Sequence, residues 1–184
     1  LLPFALSFIV TATLWAWMYN LEGVINTLIG KTGLEFLKSG WITDPNIALY
    51  CVVLAIIWQF SGYTMLIFLA GIRSIPESQI RAAEVDGASG FDLYRRIVIP
   101  QLKAPALSAF VVLMVFALKA FDFIFVLTGG GPAYRTYVLA LMMFRWTFSK
   151  NQFAYGAAIA TVLFLLALVI VVPYLYLSFR REME

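Results

Sequence analysis

The chain contains no histidine in 184 residues and a single cysteine, Cys51. Without an imidazole there can be no Ser-His-Asp triad and no HExxH zinc site, and the commonest general base is missing. One cysteine inside an apolar run excludes an intrachain disulfide and says nothing of redox compartment. Charge is scarce as well. Only 12% of residues are Asp, Glu, Lys or Arg, roughly half the share usual in a soluble domain, and the net charge is +3. That modest balance gives no reason to expect a nucleic-acid partner. Apolar residues make up 62% of the chain and the mean hydropathy is +0.90, values of an integral membrane protein. The chain opens at Leu1 inside an apolar stretch with no charged region before it. It therefore reads as an N-terminally incomplete excerpt rather than as a chain with a signal peptide.

A helix needs about 20 apolar residues to cross the hydrocarbon core, and backbone hydrogen bonding in lipid makes helix the default for such runs. Four segments meet or approach that length. They are 1–21, which ends in Trp15, Trp17 and Tyr19; 46–72, free of charge; 104–128, apolar except for Lys119 and Asp122; and 152–179, followed by Arg180 and Arg181. The fold class expected is an all-α membrane protein, a polytopic transmembrane helix bundle forming one domain over 1–184. Lys and Arg number seven in the 73–103 loop and the C-terminal tail (Arg73, Arg81, Arg95, Arg96, Lys103, Arg180, Arg181). Five lie on the other side (Lys31, Lys38, Arg135, Arg145, Lys150). This bias favours a cytoplasmic loop and C-terminus. Trp15, Trp17, Tyr19, Trp41, Tyr134, Tyr137 and Trp146 would then form an aromatic belt at the outer interface. Of the outer segments, 23–44 suits a short interfacial helix and 136–148 a re-entrant or surface helix.

The 73–103 loop is unusual for a connection between spans: long, rich in helix formers, and carrying Ile80, Val85, Phe91, Leu93 and Tyr94 into water. Ser74-Ile75-Pro76-Glu77 has the form of a capping box, with Ser74 as the cap and Glu77 reaching back. Helix is expected from Ile75 to Val85, ending at Asp86-Gly87, where glycine accepts the left-handed conformation. A second short helix would start at Ser89, run from Phe91 to Ile97 and close at Pro100. Apolar side chains at an aqueous surface need a partner or a membrane to cover them, and the loop reads as a docking knob.

Within it, Arg81-Ala82-Ala83 precedes Gly87 by three residues, and nine more lead to Ile97-Val98-Ile99-Pro100. This spacing resembles the EAA loop of ABC-importer permeases, and Asp86-Gly87-Ala88 resembles the form found in the carbohydrate branch. Phe121-Asp122, Thr128-Gly129-Gly130-Gly131-Pro132 and Phe153 to Ala158 are similar to that branch's last two crossings, and the opening LLPFALSFIVTATLWAWMYN to its third. The resemblance implies a type I-like permease in the cell inner membrane, driven by a cytosolic ABC ATPase dimer. It also implies a second homologous permease and an extracytoplasmic solute-binding protein. Arg81, Ala82, Ala83, Glu84, Asp86, Gly87, Ala88, Ile97 and Pro100 would form the ATPase-docking loop. No catalytic or metal site is expected, and ATP would be bound by the partner subunits. One departure is Arg81, where the family pattern has Glu; Glu84, one turn on, can stand in or pair with it.

The candidate solute pathway comprises Lys119, Asp122, Gln59 and Thr64, with Ser61, Asn151 and Gln152 as weaker members. Lys119 and Asp122 lie one helical turn apart and can offset each other as a pair, which matters because a charge at the bilayer centre costs about 2.5–3.5 kcal/mol. Gly30-Lys31-Thr32 is no P-loop, since Ile25 stands where its first glycine belongs. Gly129 to Pro132 reads as a turn after a span, and Gly156-x-x-x-Ala160 as a site of close helix packing. Two other readings remain: an ion-coupled secondary transporter, for which the sequence shows neither inverted repeats nor broken helices, and a non-transporting membrane scaffold.

Overall fold

The computed structural model describes residues 2–88 and 90–182, the side chains of 177–182 excepted. Ser89, the anticipated start of the loop's second helix, lies outside the described residues. All regular structure among the described residues is helical. The main elements are α1 (Leu2–Ala5), α2 (Phe8–Met18), α3 (Val24–Lys31), α4 (Ala48–Arg73), α5 (Glu77–Val85), α6 (Gly90–Leu93) and α7 (Ile99–Gln101). They continue with α8 (Lys103–Leu118), α9 (Phe121–Leu127), α10 (Leu139–Phe144) and α11 (Phe153–Glu182).

Two helices are long and apolar enough to span a bilayer: α4, and α11 over Phe153–Tyr176. A third crossing exists if α8 is joined to the Gly90–Gln101 segment, from which it bends by 55°. Of the four segments expected to span, 1–21 and 104–128 are each an interrupted helix. The first breaks at Leu6-Ser7. Ser7 is extended (ψ 151°), and its hydroxyl accepts the Val10 N–H at 3.3 Å, capping α2. A serine that captures a backbone amide starts a new helix rather than continuing the old one. The run over 104–128 breaks at Ala120, whose φ −71° and ψ 60° form an inverse γ-turn closed by the Phe121 N–H on the Lys119 carbonyl at 2.7 Å.

The core is the seam of α2 against α9 and α4, where Ala12, Trp15 and Tyr19 pack on Val52, Ala55, Phe123, Ile124 and Leu127. Tyr19 Oη donates to the Cys51 carbonyl at 3.0 Å. Trp15 and Tyr19 are therefore packed into the core, whereas Trp17 and Tyr134 are exposed. Glycine permits two close approaches. A side chain at Gly71 would run into Pro105 and Leu102, and one at Gly156 into Thr147. The second is the packing role anticipated for Gly156. The segment over 23–44 does contain a short helix, α3, anchored by the buried Asn26. Its Nδ2 donates to the Leu21 and Ser39 carbonyls, and its Oδ1 accepts from the Ser39 N–H and Trp41 Nε1. Before α11, α10 runs into a π turn over Arg145–Ser149, and both pack on α11.

Candidate functional site

The loop after α4 is a helical knob. Its corner is a Schellman closure: the Ala88 N–H bonds to the Ala83 carbonyl at 2.9 Å and the Gly87 N–H to that of Glu84 at 3.1 Å, with Gly87 at φ +83°. Here the sequence expectation holds to the residue. The capping box does not form. Ser74 is the C-cap of α4 and gives its hydroxyl to the Gly71 carbonyl at 2.8 Å, while extended Pro76 stands at the N-cap of α5. Glu77 accepts instead from Arg81 Nη2 at 2.8 Å. Glu84 is thus not the partner of Arg81. Both ends of the Arg81–Glu77 pair are exposed, so it adds only about 0.3–0.5 kcal/mol of helix support.

Pro100 does not close the second helix either. Helix continues through Ile99–Gln101, preceded by a π turn over Tyr94–Val98 in which the Ile99 N–H reaches the Tyr94 carbonyl. A proline ring collides with the carbonyl four residues back and leaves it without a donor, and a widened turn relieves both. Gln101 Nε2 donates to Gln79 Oε1 at 2.8 Å, tying the second helical arm to the first. Ile80, Ala83, Ala88 and Ile97 are half-buried, whereas Arg81, Ala82, Glu84, Asp86, Gly87 and Pro100 face solvent. Val85 and Phe91 are 87% and 75% exposed on either side of the Gly87 corner.

A second feature lies between the spans. A cavity of about 850 Å³ is walled by α4, α8 and α9, and Gln59, Thr64, Lys119 and Asp122 all line it, with Ser61 and the rings of Phe60 and Phe116. All four pathway candidates are therefore in one place; Asn151 and Gln152 are not among its lining residues. Lys119 and Asp122, however, form no ion pair with each other among the described residues. Their pairing presumed one continuous helix, and the γ-turn at Ala120 interrupts the helix between them. Thr64 gives its hydroxyl to the Phe60 carbonyl within α4, and Gln59 is engaged with the first broken helix. No group of three or more His, Cys, Asp or Glu suited to a metal occurs among the described residues.

At the far end of α9 the chain reverses through Thr128 to Thr136. Thr128 and Thr136 share a hydrogen bond of 2.7 Å, Thr136 Oγ1 donates to the Gly131 carbonyl, and Arg145 Nη2 donates to that of Gly129 at 2.6 Å. Arg145, counted from sequence only among the outer cations, is a clamp on this turn. A cation inside an apolar run facing a glycine-rich turn was the available signal.

Helices apolar and long enough to span a bilayer, a cavity between them and an exposed helical knob together describe a membrane-embedded helix bundle. The chain belongs to the family of binding-protein-dependent transport system inner membrane components, whose profile matches residues 1–184. It is 68% identical over 98% of its length to a probable ABC transporter permease of Pyrococcus horikoshii, covering 62% of that protein. It is 52% identical to a xylose/arabinose import permease of Haloferax volcanii, over 98% of this chain and 57% of the relative. A trehalose/maltose transport permease of Thermococcus litoralis is 34% identical over 99% of this chain and 61% of its own length. The chain thus spans about three fifths of the relatives it matches. A bacterial alginate ABC transporter, solved in complex with an alginate pentasaccharide-bound periplasmic protein, contains a chain similar in fold. The TM-score is 0.83 at 25% identity, with 97% of this chain and 62% of that one covered.

Proposed function

We propose that this chain is part of the permease subunit of an ABC importer that passes a sugar or related polyol across the cell inner membrane. The observation that carries the reading is the knob: a hydrogen-bonded corner at Gly87 that holds Val85 and Phe91 out in solvent, where only a partner can cover them. In this reading the knob and the C-terminus face the cytoplasm, and an ATPase dimer docks on residues 81–100. The chain contributes no nucleotide site of its own; ATP is bound by those partners. Closure of the dimer pushes α5, and the rigid corner passes the push to α4 and α8, which wall the cavity. A second permease completes the passage, and an extracytoplasmic binding protein delivers the solute. Sugar-import relatives support the solute class, as do the aromatic walls of the cavity with Lys119 and Asp122 beside them.

Gly87→Leu in the full-length protein tests the reading. The variant should lose ATP-driven uptake of xylose, arabinose, maltose or trehalose into proteoliposomes, and its ATPase should co-purify weakly. Undiminished uptake and attachment would overturn the role of the knob. The two helix breaks favour one other reading, an ion-coupled transporter with sites at broken helices. Loss of uptake on ATP depletion but not on addition of an uncoupler excludes it.

A further inference from the structure

Gln59 sits on α4 at 1% exposure, and the two ends of its carboxamide differ in their fortunes. Nε2 donates to the Pro3 carbonyl at 2.8 Å and to the Leu6 carbonyl at 3.1 Å, the acceptors released where the first crossing breaks. Two carbonyls facing one nitrogen fix the orientation of the amide, because only its NH₂ can donate. Oε1, at the other end, is buried and has no hydrogen-bond partner among the described residues. The same side chain lines the cavity with Lys119 and Asp122.

α1 and α2 are separate helices on either side of Leu6-Ser7, so the placement of α1 depends on what it packs against. Its anchors on α4 are the Gln59 carboxamide and the Phe4 ring, 5.3 Å from that of Tyr63 and 6.5 Å from that of Phe60. Between α1 and α2, Leu6-Ser7 forms a ready hinge, since the α-helical ladder is already interrupted there. Two satisfied carbonyls favour the closed arrangement, while an orphaned buried oxygen on the same side chain disfavours it. Such a balance suits a contact that must both hold and release.

We propose that Gln59 is a positioning residue for transport, a strap that pins the hinge of the first crossing to the cavity wall and releases it as solute passes. The proposal rests on the reading that the cavity lies on the solute path. Two volume-conserving variants of the full-length chain, in its assembled complex in liposomes, separate the strap from its rivals. Gln59→Met removes both donors, and Gln59→Glu keeps the shape and an acceptor but, ionised, donates nothing. Both should raise the half-saturating concentration of the transported sugar about fivefold, the loss of one or two net hydrogen bonds, and speed amide exchange over residues 7–11 by a similar factor. A Met variant equal to the native chain in both readouts would reduce Gln59 to packing. A Glu variant that keeps native values where Met does not would make the oxygen a direct solute contact, and the strap would be wrong.

A further arm leaves Gln59 in place. Phe4→Cys with Tyr63→Cys, in a Cys51→Ala background, joined by a short thiol-reactive cross-linker that carries a reducible bond, should stop uptake until the linker is cleaved. Full uptake by the cross-linked pair would overturn the proposal. A native complex that imports none of xylose, arabinose, maltose or trehalose defeats the transport reading, whereas the exchange measurement judges the strap without any transport at all.

Discussion

A methyl group added at Gly130 would meet Leu141 Cδ2 at 2.8 Å and the ring of Tyr137 besides, and Leu141 is fully buried. The backbone there is also left-handed, at φ +86°. Overpacking costs about 1–3 kcal/mol and the left-handed conformation about 1–2 kcal/mol for an L side chain. Gly130→Ala should therefore lower the thermal unfolding midpoint of the detergent-solubilised complex by several degrees. Gly87 has nearly the same φ, +83°, with nothing among the described residues within 4 Å of an added Cβ. Gly87→Asn, which tolerates that conformation best, should unfold close to the native temperature while weakening ATPase attachment. The comparison separates folding from docking at two glycines of like conformation. Their difference is not legible in sequence. Asp86-Gly87 after a helical run announces its own turn, but what stands over Gly130 depends on where α10 packs. Asn26 is invisible for the same reason: its four hydrogen bonds go to residues 5 to 15 positions away along the chain.

Hydropathy finds apolar length and misses interruptions that leave composition unchanged. Over 1–21 and 104–128 it registered two crossings, and both are broken, one by the hydroxyl of Ser7 and one by the dihedrals of Ala120. The helical knob was legible because its signals are local: helix formers up to Val85, then glycine, with apolar residues stranded between charges. Its start was misread. Ser74 keeps helical dihedrals, φ −79° and ψ −9°, and finishes α4, leaving the entry to α5 to Pro76. Side-chain capping therefore matters at Ser7 and not at Ser74. Ser7→Ala should cost about 1 kcal/mol and speed amide exchange in the first turn of α2. Glu77→Ala, which removes only an exposed pair, should shift stability by no more than about 0.5 kcal/mol and leave α5 formed by circular dichroism.

Across the whole molecule, the sequence named the cavity residues but not their relation. Gln59, Thr64, Lys119 and Asp122 gather on one cavity because α4, α8 and α9 converge there, yet the break at Ala120 keeps Lys119 and Asp122 from pairing. The distinction has a thermodynamic signature. In an ion pair, removing one partner orphans the other, so single losses exceed the double and the coupling energy is large. Two charges that each face the cavity independently lose their effects separately. Lys119→Met and Asp122→Asn should each raise the half-saturating solute concentration, and their logarithmic effects should sum in the double variant to within about 0.5 kcal/mol. ATPase attachment should stay native throughout, because neither residue is on the knob. A coupling of about 1 kcal/mol or more in that cycle would mean that the two charges do meet, and that the helix over 104–128 closes across Ala120 in the working transporter.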